Sequence, residues 1–142
     1  MAETDKAYLA GLIDGEGTIT LTRHHRNQFP QPRVSISNNS LELLEWVRER
    51  LGCGNIIRRS PRKEHHGKSY VWQVQLAGSA LKVLREIRPY LVLKRRHADL
   101  LLEDYKACTP RNGKYSPSML AAKRGLVGQI RRLNQTGRSR FP

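Results

Sequence analysis

The densest chemical signal in this chain is Leu9-Ala10-Gly11-Leu12-Ile13-Asp14-Gly15-Glu16-Gly17. Gly11 and Gly15 stand four apart, and each costs a helix about 1 kcal/mol relative to Ala. With Ala7 they make a stripe of small residues against which a second helix can come very close. Glu16 follows the last turn between Gly15 and Gly17, whose lack of a Cβ opens backbone geometries closed to other residues. A close-packing stripe that ends on an acid is a poor choice for stability alone. Two other clusters point nowhere comparable. His24, His25, His65 and His66 suggest zinc, but no third or fourth ligand stands at suitable spacing, so loop and groove roles fit them better. Cys53 and Cys108 match neither a zinc site nor a disulfide framework and read as reduced thiols.

Charge narrows the partner. Lys and Arg number 26 against 12 Asp and Glu, a net charge of +14. No acid occurs from Thr18 to Leu41 or from Tyr105 to Pro142, and Glu64 is the one acid between Gly52 and Arg85. Acids gather instead in helix-like segments: Asp14 and Glu16, then Glu42, Glu45 and Glu49, then Asp99, Glu103 and Asp104. Basic strands suit a groove or sheet face for phosphates, whereas a basic helix would suit a membrane surface. No apolar run approaches the roughly 18 residues of a membrane span. The acidic start, Met1-Ala2-Glu3-Thr4-Asp5, does not read as a signal peptide, so a secreted protein is not expected.

These residues need elements to hold them. Thr4 is a candidate N-cap for a helix through Ala7–Asp14 that the glycines end. Thr18–Thr22 and Arg33–Ser37 alternate as strands around a polar loop, His24–Gln31. Asn39-Ser40-Leu41-Glu42 opens a helix with Leu44, Val47 and Leu51 on one face, stopped by Gly52. Strands come next at Asn55–Ser60 and Tyr70–Leu76, then a helix capped by Ser79 and halted by Pro89. Helices over Arg95–Ala107 and Pro117–Leu133 complete the pattern, the second with Pro at its favoured first position. The prediction is an α+β fold, α-ββα-ββα-α-α, with a four-stranded antiparallel sheet backed by helices. Residues 1–135 form one domain and 136–142 a disordered tail in this reading.

With one sheet face packed on helices, the other is available for function. Ile19, Leu21, Val34 and Ile36 point to the core, while Thr18, Thr20, Thr22, Arg33, Ser35 and Ser37 point away. That second face, hydroxyl-rich and free of carboxylates, can read base edges in a major groove. With His24, these residues are the first hairpin's candidate DNA contacts. The second hairpin offers Asn55, Arg59, Val71, Gln73 and Gln75, leaving Trp72 and Val74 in the core. Arg26, Arg58, Arg62, Lys63 and Lys68 suit phosphates.

The nine-residue stretch resembles the signature helix of the LAGLIDADG homing endonucleases, departing from it at Gly15 and Glu16. Arg88-Pro89-Tyr90-Leu91-Val92-Leu93-Lys94 is similar to that family's approach to a catalytic lysine, and the doubled strand-strand-helix unit to its saddle-shaped sheet. The resemblance covers about residues 5 to 107. The family packs two such helices together, and this chain has one copy. The resemblance therefore implies a homodimer through Ala7, Gly11 and Gly15, bringing two Glu16 carboxylates together at the base of the interface.

The same resemblance implies a mechanism. Glu16 binds Mg²⁺, with Mn²⁺ as an alternative, assisted by the Gly15 carbonyl. Two metals activate water and clamp the attacking and departing oxygens. Each site cuts one strand of a long pseudo-palindromic double-stranded DNA, leaving short 3′ overhangs. Lys94 stands near the scissile phosphate, and Asn38, with Asn39 close behind, organises water. Asp14 reads as structural. The family's further basic residue is not evident, because the following helix starts Leu41-Glu42-Leu43-Leu44. Such a protein is intron-encoded, cytoplasmic in a prokaryote and organellar in a eukaryote. The competing reading is a non-catalytic DNA- or intron-RNA-binding protein on the same scaffold, a maturase or transcription factor, against which the retained Glu16 speaks. A structural RNA-binding protein would account for the charge but not for Gly11, Gly15 and Glu16 together.

Overall fold

A computed structural model describes residues 1–60 and 67–139, with side chains as far as Gln135. Arg62, Lys63, His65 and His66 lie outside the described residues. In chain order the elements are α1 (Glu3–Glu16), β1 (Gly17–Thr22), β2 (Gln31–Asn38), α2 (Leu41–Leu51), β3 (Asn55–Arg59) and β4 (Ser69–Val74). Then come α3 (Ala77–Ile87), a 3-10 turn (Arg88–Tyr90), α4 (Arg95–Asp104), a second such turn (Lys106–Cys108) and α5 (Pro117–Ser139). The predicted α+β order holds.

The strands form one antiparallel sheet in the order β1-β2-β4-β3. Ile19, Val34 and Val74 align across it, as do Ile36, Trp72 and Ile56, with Ile56 partly buried and the others in the core. Leu9, Ala10 and Ile13 of α1, Leu44 and Val47 of α2, and Ala80, Leu84 and Ile87 of α3 complete that core. Two glycines are demanded by close approach. A Cβ on Gly17 would stand 2.7 Å from Ile13 Cα and 2.9 Å from the Ser35 carbonyl, so α1 can turn directly into β1 only here. Gly54 has a φ of 91°, and its Cβ would overlap the Trp72 indole. Trp72 Nε1 donates to the neighbouring Cys53 carbonyl at 3.0 Å.

Several boundaries move from their predicted places. Thr4 is not the N-cap: α1 begins at Glu3 after Ala2, without a side-chain cap, because Glu3 and Asp5 complement the helix dipole and extend the first turn. Nor is Ser79 a cap, since α3 starts at Ala77. Ser40 does cap α2, accepting from the Leu43 N–H at 3.2 Å, and Gly52 ends that helix at φ 69°. Gln75 and Leu76 fall beyond β4, and β3 stops at Arg59. Helix α4 ends at Asp104, and Thr109 Oγ1 donates to the Tyr105 carbonyl at 2.6 Å just beyond it. Helix α5 starts at Pro117 as predicted and runs past Leu133 to Ser139. Among the described residues no helix is long and apolar enough to cross a membrane.

Candidate active site and nucleic-acid interface

Helix α1 buries Leu9, Ala10 and Ile13 while Ala7, Gly11 and Gly15 stay exposed. A Cβ added at Gly11 or Gly15 would meet nothing within 4 Å of its own chain. Among the described residues these glycines therefore relieve no side-chain clash. Tyr8, 53% exposed, flanks the stripe and meets Trp46 of α2 edge to face at 5.2 Å.

Glu16 lies exposed at the foot of this face, as the last residue of α1. Asn38 Nδ2 donates to Glu16 Oε2 at 2.8 Å, and Asn38 Oδ1 accepts the Ser40 N–H at 2.8 Å. The alternation of β2 explains this meeting. Asn38 shares the helix-backed face with Ile36 and sits at the strand end beside the C-terminus of α1.

Lys94 reaches the same end of α1 from a segment 80 residues away in sequence. Its Nζ donates to the Asp14 carbonyl at 2.7 Å, and its own N–H donates to Asp14 Oδ1 at 2.9 Å. Asp14 Oδ2 accepts the Val92 N–H at 2.8 Å. Burial pushes the Lys94 ammonium below its ordinary pKa, and the charge of Asp14 partly offsets this. The turn carrying Lys94 is stapled behind by Arg88, whose Nε donates to Asp99 Oδ1 of α4 at 2.7 Å. That bond raises the Arg88 pKa and holds the Asp99 carboxyl below the usual range.

Opposite the core, the sheet carries polar rows without a carboxylate. Thr18, Ser35, Gln73 and Asn55 align across the strands, and Thr20 pairs with Arg33. Arg33 donates through Nε and Nη2 to Gln73 Oε1 at 3.2 and 2.5 Å. Burial, and then Arg59, lowers the Arg33 pKa. Four expected contacts look different in place, and Ser35, on the polar row, is only 7% exposed. Val71 is on this face but only 2% exposed, so it offers DNA almost no surface. Gln75, past the strand, donates to the Thr22 carbonyl at 3.1 Å. Arg58 pairs with Tyr70 on the helix-backed face, though it is exposed. Thr22, Ser37, Arg59 and Lys68 are at least partly exposed, as are His24 and Arg26 in the β1–β2 loop. That loop carries an anchor not anticipated from sequence: the Phe29 ring packs on Tyr115 at 4.0 Å. An aromatic residue within a polar loop was its one available signal.

Residues 3–89 match the LAGLIDADG-like domain. The chain belongs to the LAGLIDADG family. Its fold is that of the family's homing endonucleases. I-CvuI, a homing endonuclease solved in complex with its target in the presence of 2 mM Ca, is 28% identical with a TM-score of 0.71, and the match covers 92% of this chain and 82% of that one. I-Vdi141I, an archaeal intron-encoded homing endonuclease complexed with DNA, is 21% identical with a TM-score of 0.73 over 92% and 84%. I-SmaMI, bound to an uncleaved DNA target with calcium, is 19% identical with a TM-score of 0.65, and this LAGLIDADG chain spans 45% of its length. No curated protein sequence matches the chain.

Among the described residues no three His, Cys, Asp or Glu side chains converge. Donor chemistry fits: Glu16 and the Gly15 carbonyl would offer hard oxygen donors, and magnesium keeps several waters and substrate phosphates in its shell.

Proposed function

We propose that this LAGLIDADG protein is one half of a homodimeric, divalent-metal-dependent endonuclease that recognises and cuts double-stranded DNA. The observation that carries the reading is Glu16 itself, exposed beneath an open glycine stripe, steadied by Asn38 and with Lys94 anchored to the same helix end. I-SmaMI, about twice as long as the matched region, has room for two such units in one chain, which supports pairing of two copies here. In that pair the α1 stripes meet about a twofold axis and the two Glu16 carboxylates come together.

The reaction is hydrolysis of a phosphodiester: a water oxygen bonds to phosphorus, the bond to the 3′ oxygen breaks, and a 3′ hydroxyl and 5′ phosphate remain. Glu16 and the Gly15 carbonyl would hold a Mg²⁺, which would supply Lewis acidity toward phosphate and a more acidic water. Asn38 holds the exposed carboxylate in one orientation through its Nδ2 donation. Lys94 spends one ammonium proton on the Asp14 carbonyl, which leaves two donors for a phosphate oxygen. The polar sheet face reads base edges, while Arg26, Arg59 and Lys68 meet phosphates. Short 3′ overhangs, a pseudo-palindromic site and an intron origin extend the same proposal.

The test is Glu16→Gln, assayed by gel shift beside a cleavage time course with Mg²⁺ and with EDTA. Side-chain size is kept and the charge that holds the cation is lost. Binding and dimerisation should persist while cutting falls to the detection limit. A variant that cuts normally, or that neither binds nor dimerises, sinks the proposed chemistry; a wild type that binds without ever cutting favours the non-catalytic binder.

A further inference from the structure

We infer that Asp14 is a positioning residue for Lys94, locking the lysine and the metal-binding end of α1 into one frame; the inference rests on the endonuclease reading above. Asp14 accepts two backbone N–H groups from one turn, Val92 at Oδ2 and Lys94 at Oδ1, and its own carbonyl accepts Lys94 Nζ. These three bonds tie the last turn of α1 to the turn that leads into α4.

An acid in the last turn of a helix is unfavourable to that helix's dipole, so α1 gains nothing from it. The gain lies across the gap. The carboxylate sits at the positive N-terminal end of α4 and satisfies the N–H of Lys94, which precedes that helix. Lys94 in return satisfies a carbonyl of α1 that lies within its final turn. A neutral amide cannot reproduce the pattern: Asn offers one oxygen to two N–H groups and turns an NH₂ toward the other. Glu16 stands two residues beyond Asp14 on the same turn, so the clamp sets the Lys94 ammonium relative to that carboxylate. Val92 and Leu93, 87% and 66% exposed, make little packing contact that would hold this turn by themselves.

The experiment compares wild type, Asp14→Asn, Lys94→Met and the double variant in single-turnover cleavage with enzyme in excess over duplex and saturating Mg²⁺. Asp14→Asn should slow cutting by about a hundredfold, the scale of an ångström-sized misplacement, with DNA affinity and dimerisation unchanged. In the Lys94→Met background it should slow cutting little further, because the group it positions is gone. Hydrogen exchange on the DNA-free protein gives a second readout: the Val92 and Lys94 amides should exchange faster in Asp14→Asn, while Ile13 in α1 does not change. Multiplying losses in the double variant, wild-type cutting by Asp14→Asn, or unaltered exchange at Val92 and Lys94 each overturns the inference. Should Asp14→Asn fail to fold, Asp14→Ser keeps one acceptor; loss of folding in both makes the acid purely structural and overturns it too. A wild type that does not cut overturns the endonuclease reading, an outcome visible before any variant is made.

Discussion

Asn38 binds Glu16 Oε2 through Nδ2 and the Ser40 N–H through Oδ1, both at 2.8 Å. The two partners together set which way the amide points, since a flipped amide would aim oxygen at a carboxylate and NH₂ at an N–H. Strand β2 and the start of α2 thereby aim the acid that ends α1.

Removing that aim should cost cleavage more than binding. For Asn38→Ala we expect cutting to fall about tenfold or more, the scale of one charge-assisted hydrogen bond, and the Mg²⁺ concentration for half-maximal rate to rise. Gel-shift affinity should hold. A metal titration of the cleavage rate is the check, and an unchanged titration curve would leave Asn38 a mere turn residue.

Among the described residues nothing lies within 4 Å of a Cβ at Gly11, so the first atom of a larger side chain there meets open space. Gly11→Leu should keep its helical circular dichroism and become monomeric, because only a second backbone would collide with it. Light scattering on both proteins decides the matter. A dimeric variant, or a monomeric wild type, removes the α1 stripe from the interface.

Arg33 and Gln73 are one hydrogen-bonded pair, the guanidinium holding the amide oxygen with two donors, and the proposed reading makes them act on DNA together. Arg33→Ala should relax base preference at particular pairs by about 1–3 kcal/mol, and the Arg33/Gln73 double variant should lose less than the sum of its parts. Lys68→Ala should weaken all sequences alike and reduce the salt slope by about one. Competition binding over randomised half-sites at several salt concentrations separates the two behaviours.

His97 adds a pH dependence to stability. Its Nε2 stands 3.0 Å from Asn134 Oδ1, and Asn134 Nδ2 donates to the Ile19 carbonyl, so the imidazole donates from Nε2. A second proton would sit on Nδ1, which is buried without a partner among the described residues. Burial chiefly lowers the pKa below its ordinary 6.5, and Lys94 adds to this, against opposing effects of Asn134 and Asp14. The unfolded chain therefore binds the proton more readily than the folded one. Stability should be full above pH 6.5, decline as pH falls from there toward the lower folded value, and level off below it. Urea unfolding across that window should show the slope in wild type and a flatter one in His97→Asn.

Much of this was legible along the chain because it is local. Period-two alternation in β1, β2 and β4 marked the core face, Ser40 announced α2, and the run from Leu9 to Gly17 named both helix and acid. Cap positions were read less well. At Thr4 and Ser79 the side chain had the right type, but the backbone began its helix earlier through bonds that need no side-chain cap. Charge segregation likewise pointed to the sheet before the sheet was in view. The partners of the site residues were another matter. Asn38 reaches Glu16 across 22 positions and Lys94 reaches Asp14 across 80, distances over which no periodicity operates. Sequence alone determined which residue types stand where they could do the proposed chemistry, since residue type and local spacing are properties of short segments. Tertiary structure decided which atoms meet, because hydrogen bonds depend on a few tenths of an ångström that only the packed helices and strands define.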